Sequence, residues 1–101
     1  MVNNKPIRWD TSALQQFGEL IAYIAESSLQ NAEHVRNEVF KKIGLLPINP
    51  EIYPPDKYKL DNQAGFYRAF ELYRFRVSYF IGDDHIRILR VRHTSQDPKI
   101  H

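Results

Sequence analysis

A chain of 101 residues, 43% of them hydrophobic, has the size and composition of one domain with its own core. It contains no cysteine, which excludes a disulfide framework, a thiolate zinc site and a cysteine nucleophile. The net charge of +2 is too small to indicate nucleic-acid binding by itself, and no segment approaches the roughly 20 apolar residues of a membrane span. We therefore expect one cytoplasmic domain over residues 1–101, with no membrane partner.

The first half of the chain is typical of a short strand followed by two helices. Residues 5–9 have extended character, and Ser12 and Ser27 each begin a capping-box pattern. After each serine, apolar residues recur at the spacing of one helical face. These residues are Leu14, Phe17, Ile21 and Ile24 in the first helix, and Ala32, Val35, Val39, Ile43 and Leu46 in the second. The pattern predicts an αα-hairpin.

A proline-rich connection joins this hairpin to a second half that is typical of strands. Four prolines between residues 47 and 55 exclude a helix or a central strand there, and we assign the connection no chemistry of its own. Three later runs rich in aromatic and β-branched residues predict a meander: 65–73, 75–81 and 85–93. In the last run the apolar parity changes between Ile88 and Leu89, so this strand either carries a β-bulge or is covered on both faces.

Candidate chemistry is confined to the predicted strands. The sequence has no phosphate-binding loop, dinucleotide-binding, serine-hydrolase or zinc-protease motif, and its histidines lack metal-ligand spacing, so we predict neither a metal nor a cofactor. If Arg68 and Arg76 lie on neighbouring strands, they can converge on a phosphate or carboxylate. Alternatively, strand arginines are solvated or paired with acids such as Glu71, and strand tyrosines belong to the core. The full candidate set is Arg68, Arg74, Arg76, Tyr79, Arg90, Arg92 and His93.

The order of elements and four motifs resemble the RelE/ParE superfamily of bacterial type II toxins. The motifs are LLPINPEIYPP, GFYRAF, RFRVSYFI and ILRVRHTSQDP. The resemblance implies an α+β fold in which the N-terminal strand and the helical hairpin pack on an antiparallel sheet formed with the three-stranded meander. It also implies the toxin of a toxin–antitoxin, or plasmid-stabilisation, module that inhibits growth and is bound by a cognate antitoxin protein.

Two mechanisms are known on this fold, so the fold does not choose between them. ParE-like toxins poison DNA gyrase, whereas RelE-like toxins are metal-independent endoribonucleases that cleave mRNA on the ribosome. For the second mechanism, the resemblance assigns phosphate stabilisation to Arg76 and Arg68, and acid–base chemistry to His93. Target binding is then assigned to Arg74, Arg90, Arg92 and Tyr79.

Departures from the RelE-like pattern favour the ParE-like branch. Phe70 and Glu71 stand on a strand that is often rich in lysine in RelE-like nucleases, and no tyrosine follows His93. The ending Val91-x-His93 followed by Gln-Asp-Pro is similar to ParE-like members, in which the histidine closes the last strand against the first helix. We predict a gyrase poison, and the alternatives are a ribosome-dependent mRNA endonuclease and an inactive antitoxin-binding relative.

Overall fold

The computed structural model describes residues 4–95 and contains two helices and four strands. The Gln-Asp-Pro motif at residues 96–98 lies outside the described residues. In chain order the elements are β1 (Ile7–Trp9), α1 (Thr11–Ser27), α2 (Leu29–Ile43), β2 (Tyr67–Leu72), β3 (Phe75–Ile81) and β4 (Ile86–His93). In this part of the chain, neither helix has the length and apolar character needed to cross a membrane.

The predicted helical hairpin is confirmed, although its caps differ from the predicted ones. Ser28, not Ser27, caps α2, and its hydroxyl oxygen accepts a hydrogen bond from the Asn31 N–H at 3.1 Å. Helix α1 begins at Thr11, so Ser12 lies inside it, and the preceding residue Asp10 makes no side-chain cap. The Asp10 carboxylate instead binds the Arg87 guanidinium on β4. The ion pair with Arg87 thus takes the place of a side-chain cap by Asp10 at the start of α1.

The four strands form one sheet in the order β1-β4-β3-β2. The meander β2-β3-β4 is antiparallel as predicted, but β1 runs parallel to β4, with Ile7 opposite Ile86 and Trp9 opposite Ile88. The sheet is therefore mixed, and the prediction of a wholly antiparallel sheet is wrong in this detail. A tight turn forces two strands to be antiparallel, whereas β1 and β4 are separated by almost the whole chain and carry no such constraint.

The predicted irregularity in β4 is a β-bulge at Leu89. Ser78 pairs with Arg90 and Tyr79 with Ile88, which leaves Leu89 unpaired. The bulge lets Ile88 and Val91 both face the helices, while Arg90 points to the other side of the sheet. Alternation from this register defines the open face, the sheet surface opposite the helices: Tyr67, Ala69, Glu71, Arg76, Ser78, Phe80, Arg87, Arg90 and Arg92.

The two faces of the sheet are covered by different parts of the chain. The helices cover one face around a core whose members include Phe17, Val35, Val39, Phe75, Val77, Tyr79, Ile86, Ile88 and Val91. The proline-rich connection reaches the far edge at β2, where Pro55 forms an isolated bridge with Arg68. Arg76 and Ser78 on the open face are consequently only 6% exposed. Strand β3 is therefore buried on both faces.

Candidate functional site on the open face

Arg76 lies at the centre of a buried ion-pair network on the open face. Its Nη2 is 2.7 Å from Oδ1 of Asp56, and its Nη1 is 2.8 Å from Oε2 of Glu71. The Arg76 side chain is 7% exposed and that of Asp56 is 1% exposed. Glu71 stands directly opposite Arg76 in the β2–β3 pairing, whereas Asp56 comes from the proline-rich connection. One buried carboxylate and one half-exposed carboxylate therefore neutralise this buried guanidinium.

Tyr58 completes the covering of Arg76. The Tyr58 N–H donates to Oδ1 of Asp56 at 3.0 Å, which fixes a tight turn after the prolines. Its ring lies 4.8 Å from the guanidinium carbon of Arg76 and 5.6 Å from that of Arg92. Such distances are typical of cation–π contacts. The connection, to which we assigned no chemistry, therefore supplies both a carboxylate and an aromatic ring to the site.

Arg90 and Arg92 are more accessible than Arg76 on the open face. Both are partly buried, and they flank Val91, whose side chain points into the core. Burial, followed by the positive charge of Arg92, lowers the pKa of Arg90. Together with Tyr58 these arginines form a cationic and aromatic surface that a negatively charged or aromatic partner can contact.

Arg68 does not join Arg76. It pairs with Tyr79 on β3, which places its side chain on the helix-facing side of the sheet. Its Nε donates to the Gly65 carbonyl at 2.8 Å, and its Nη1 donates to the Tyr53 carbonyl at 2.8 Å. Arg68 therefore clamps the end of the connection to β2. The convergence of Arg68 and Arg76 on one patch, which the sequence allowed, is absent.

His93 also lies on the helix-facing side. It pairs with Phe75 at the other end of β3 and lines a pocket with Leu20 and Ile24 of α1. Its Nδ1 accepts a hydrogen bond from the Ser95 N–H at 3.1 Å. This is the position expected for a histidine that closes the last strand against the first helix. The three residues assigned to RNA cleavage, Arg68, Arg76 and His93, thus occupy three separate places.

Two further candidates have contrasting environments. Arg74 is exposed in the β2–β3 turn, where both it and Tyr73 have positive φ angles of 66° and 51°. Tyr79 is fully buried, and its hydroxyl donates to the Pro50 carbonyl at 2.7 Å. Burial raises the pKa of Tyr79. Arg74 is therefore accessible to a partner, whereas Tyr79 belongs to the core and holds the proline-rich connection.

Sequence reasoning missed Asp56 and Tyr58. The motif Pro-Pro-Asp-Lys-Tyr contained a signal for them. Because the two prolines restrict the backbone angles, the acid that follows them has a well-defined position. Nothing local to the motif, however, indicated that this acid meets a residue 20 positions later.

Fold and site together define a small α+β protein with a helical hairpin on one face of its sheet and a partly covered cationic surface on the other. The model of the ParE toxin family, described as the ParE toxin of the type II toxin–antitoxin system parDE, matches residues 7–98. The chain belongs to this family. The resemblance to RelE/ParE toxins and the α+β fold predicted from the sequence are thereby confirmed.

Two solved structures have a similar fold over most of the chain. One is the chromosomal ParDE system from P. aeruginosa, with a TM-score of 0.68 and 14% identity, covering 90% of this chain and 97% of the other. The second is the RelBE2 toxin–antitoxin complex from Mycobacterium tuberculosis, with a TM-score of 0.55 and 21% identity, covering 95% and 98%. No curated protein matches the sequence.

Proposed function

We propose that this toxin inhibits growth by binding a protein target, DNA gyrase, rather than by cleaving RNA. The observation that supports this proposal is the burial of Arg76 between Asp56 and Glu71. In the nuclease alternative, Arg76 is the group that must contact the scissile phosphate. Here both of its outer nitrogens are already engaged by carboxylates.

The requirements of RNA cleavage strengthen this argument. Cleavage needs a base for the ribose hydroxyl, cations on the phosphate and an acid for the leaving oxygen, all within hydrogen-bonding reach of one substrate. A phosphate that took the place of Asp56 on Arg76 would have to break a buried ion pair of 2.7 Å, at a penalty of several kcal/mol. Arg68 and His93 lie on the other face of the sheet and cannot reach the same phosphate.

The proposed partners are a cognate antitoxin and the gyrase, both met in the cytoplasm. The similar structures are described as a ParDE toxin–antitoxin system and a RelBE2 toxin–antitoxin complex, which supports an antitoxin for this chain as well. Of the candidate target-binding residues, Arg74, Arg90 and Arg92 have exposed surface, so we assign contact with the gyrase to this set and leave out Tyr79.

A gyrase supercoiling assay beside a cell-free translation assay tests the proposal. We expect stoichiometric toxin to inhibit supercoiling, and the product of the neighbouring gene to reverse the inhibition. We also expect translation to continue with intact mRNA. Cleaved mRNA with normal supercoiling would overturn the proposal in favour of the nuclease. No effect in either assay, combined with tight binding of the neighbouring gene's product, would identify an inactive relative.

One observation favours the nuclease as second candidate. Arg92 lies 5.6 Å from the centroid of the Tyr58 ring, and Arg90 lies on the same face. This arrangement resembles the cation and stacking surfaces that contact single-stranded nucleic acid. The Arg90→Ala variant separates the two readings of this surface. Under our proposal it weakens gyrase inhibition, whereas under the alternative it lowers the rate of mRNA cleavage.

A further inference from the structure

A pocket lies at the end of the molecule where the chain turns from α1 into α2 and from β2 into β3. It has a volume of about 340 Å³, and its walls come from α1, α2, the β2–β3 turn and the end of β4. The lining residues are Leu20, Tyr23, Ile24, Asn31, Val35, Tyr73, Arg74, Phe75 and His93. This volume lies at the lower end of the range for small-molecule sites. The pocket therefore has the size for one small ligand.

The floor of the pocket is apolar. Val35 and Phe75 are buried members of the core, and Leu20 and Ile24 pack against that core from α1. All four side chains line the pocket. The transfer of apolar ligand atoms from water onto such a surface is favourable. The floor thus selects a ligand with an apolar body.

The turn at the rim of the pocket has an unusual composition. Tyr73 and Arg74 are the two residues between β2 and β3, and their φ angles of 51° and 66° are both positive. A two-residue hairpin turn with two positive φ angles favours Asn-Gly, because these residues tolerate that conformation best. Larger residues held in it cluster at ligand clamps and active sites. A role for the two side chains accounts for residues that the turn itself disfavours.

Contacts with two neighbouring elements fix this turn. The Tyr73 hydroxyl is 3.0 Å from Nε2 of His34 on α2. The Arg74 carbonyl accepts a hydrogen bond at 2.6 Å from the N–H of Thr94, which follows β4. The turn is therefore tied to two of the elements that form the pocket walls. A ligand that binds there does not have to order the turn, which lowers the entropic cost of binding.

The charge of the pocket is positive. In the described part of the chain no carboxylate lines it, whereas Arg74 is a permanent cation at its rim. Arg74 is exposed, and no carboxylate of the described residues lies within ion-pair distance of it. Arg76, in contrast, is engaged by two carboxylates. The Arg74 guanidinium can therefore make a bidentate contact with the carboxylate of a ligand.

We propose that this pocket binds a small aromatic carboxylate. The ring of the ligand packs on the apolar floor beside Phe75 and Tyr73, and its carboxylate accepts hydrogen bonds from Arg74. An aromatic body is favoured over an aliphatic one because three of the lining residues have aromatic rings that can stack with it. The inference concerns a ligand site, and it stands independently of the macromolecule that the toxin inhibits.

A set of three small compounds tests this inference on the full chain. The probe is 3-phenylpropanoate. The control 3-phenylpropanamide keeps the shape without the charge, and the control propanoate keeps the carboxylate without the ring. In isotope-labelled toxin we expect the probe to bind with a Kd below about 10 mM, and both controls to bind at least about tenfold more weakly. Nuclear Overhauser effects from the ring of the probe should reach the methyl groups of Leu20, Ile24 and Val35.

A matched pair of variants tests the role of Arg74. Arg74→Gln and Arg8→Gln each remove one exposed cation, and Arg8 lies on β1, outside the pocket. We expect the first variant to lose at least about tenfold in affinity for the probe, and the second less than about twofold, because distant exposed charges are screened. Melting temperatures of both variants are the folding control. The readout is ligand binding and not growth inhibition, because Arg74 also belongs to the residues assigned to gyrase contact.

Four outcomes would overturn the inference. These are no saturable binding up to about 10 mM probe, equal affinity for the amide, equal losses in the two variants, and Overhauser effects confined to other methyl groups. A hexapeptide with a C-terminal phenylalanine gives a further test. If it binds at least about tenfold more tightly than the probe, the pocket belongs to a protein C-terminus and not to a small ligand. A concentration-dependent increase in molecular mass that the probe reverses would assign the pocket to a second copy of the toxin.

Discussion

Strand β3 is buried on both faces of the sheet, by apolar contacts on one face and by ion pairs on the other. On the helix-facing side, Val77 and Tyr79 are fully buried among apolar side chains from α1, α2 and the neighbouring strands. On the open face, Arg76 is almost as deeply buried, but its neighbours are two carboxylates and the Tyr58 ring. Hydrophobic burial tolerates a range of shapes, whereas a buried charge is tolerated only while its partners remain in place.

This difference assigns separate tasks to the two faces. The helix-facing side gives the domain its core, and the loss of one contact there leaves a cavity. The open face fixes the end of the proline-rich connection to the sheet, because Asp56 and Tyr58 both reach it from there. Tyr79 and Arg68 hold earlier residues of the connection from the helix-facing side. Loss of Arg76 should therefore release residues 56–58 in addition to destabilising the sheet.

Arg76→Ala should produce the largest effect. The substitution removes the guanidinium that lies 2.7 Å from the buried Asp56 carboxylate, and removal of one member of a buried pair costs about 3–5 kcal/mol. Urea unfolding of the variant measures this loss. Arg90→Ala on the same face is the control, and it should cost less than about 1 kcal/mol because Arg90 has no carboxylate within ion-pair distance among the described residues. Equal losses for the two variants would contradict the distinction.

This expectation also affects how toxicity assays are interpreted. A loss of growth inhibition in Arg76→Ala does not by itself identify a phosphate-contacting residue, since unfolding has the same result. The double variant Arg76→Met, Asp56→Leu removes both charges while it keeps apolar volume, and such replacements are often neutral for stability. Toxicity retained in a stable double variant would contradict catalysis by Arg76, whereas its specific loss would support it.

Ile88→Ala should cause the next largest loss of stability, and it tests the packing on the helix-facing side. Ile88 is fully buried beside the bulge, and the truncation of such a side chain leaves a cavity at a cost of about 2–4 kcal/mol. Leu89→Ala is the matched control, because Leu89 is the unpaired bulge residue and is only partly buried. Its loss should be roughly half as large or less. Thermal unfolding of both variants measures these losses. A larger loss of stability for Leu89→Ala would contradict the assignment of Ile88, and not Leu89, to the core.

Tyr79→Phe should have a smaller effect that depends on pH. Loss of the hydrogen bond to the Pro50 carbonyl should cost about 1 kcal/mol near neutral pH. Burial raises the folded-state pKa of Tyr79 above the ordinary value of 10.0. The stability contributed by the neutral phenol is therefore fully present below about pH 10 and is lost as the pH rises through the folded-state pKa. Between about pH 10 and the folded-state pKa, the wild-type protein should lose stability faster than the variant, and parallel stability curves in that range would contradict this assignment.

The sequence predicts the elements well because their signals are local. The three- and four-residue apolar spacing in residues 11–43 comes from one buried helical face, and the change of parity at Leu89 comes from one inserted residue. The direction of β1 and the covering of the open face could not be predicted. The direction of β1 depends on its pairing with a strand almost 80 residues later. The covering of the open face depends on the path of the proline-rich connection, which brings Asp56 to Arg76.

The sequence indicated which arginines lie on the predicted strands, but not which of them share a face of the sheet. Arg76, Arg90 and Arg92 do lie on one face, because alternation and the bulge place them there. The sequence allowed Arg68 to converge with Arg76, but the β2–β3 register places the two side chains on opposite faces of the sheet. A strand pattern identifies which residues share a face within one strand, whereas the relation between strands depends on a register that tertiary packing fixes.

Ser28→Ala should have the smallest of these effects, and it tests a point where the local pattern indicated the neighbouring residue. The Ser28 hydroxyl accepts from the Asn31 N–H, so its loss should cost about 1 kcal/mol. Ser12→Ala is the control, and it should be neutral or slightly stabilising because Ser12 is exposed inside α1, where alanine has the higher helix propensity. If thermal unfolding instead shows a loss for Ser12→Ala, then Ser12 is the N-cap and α1 begins at Ala13 in solution.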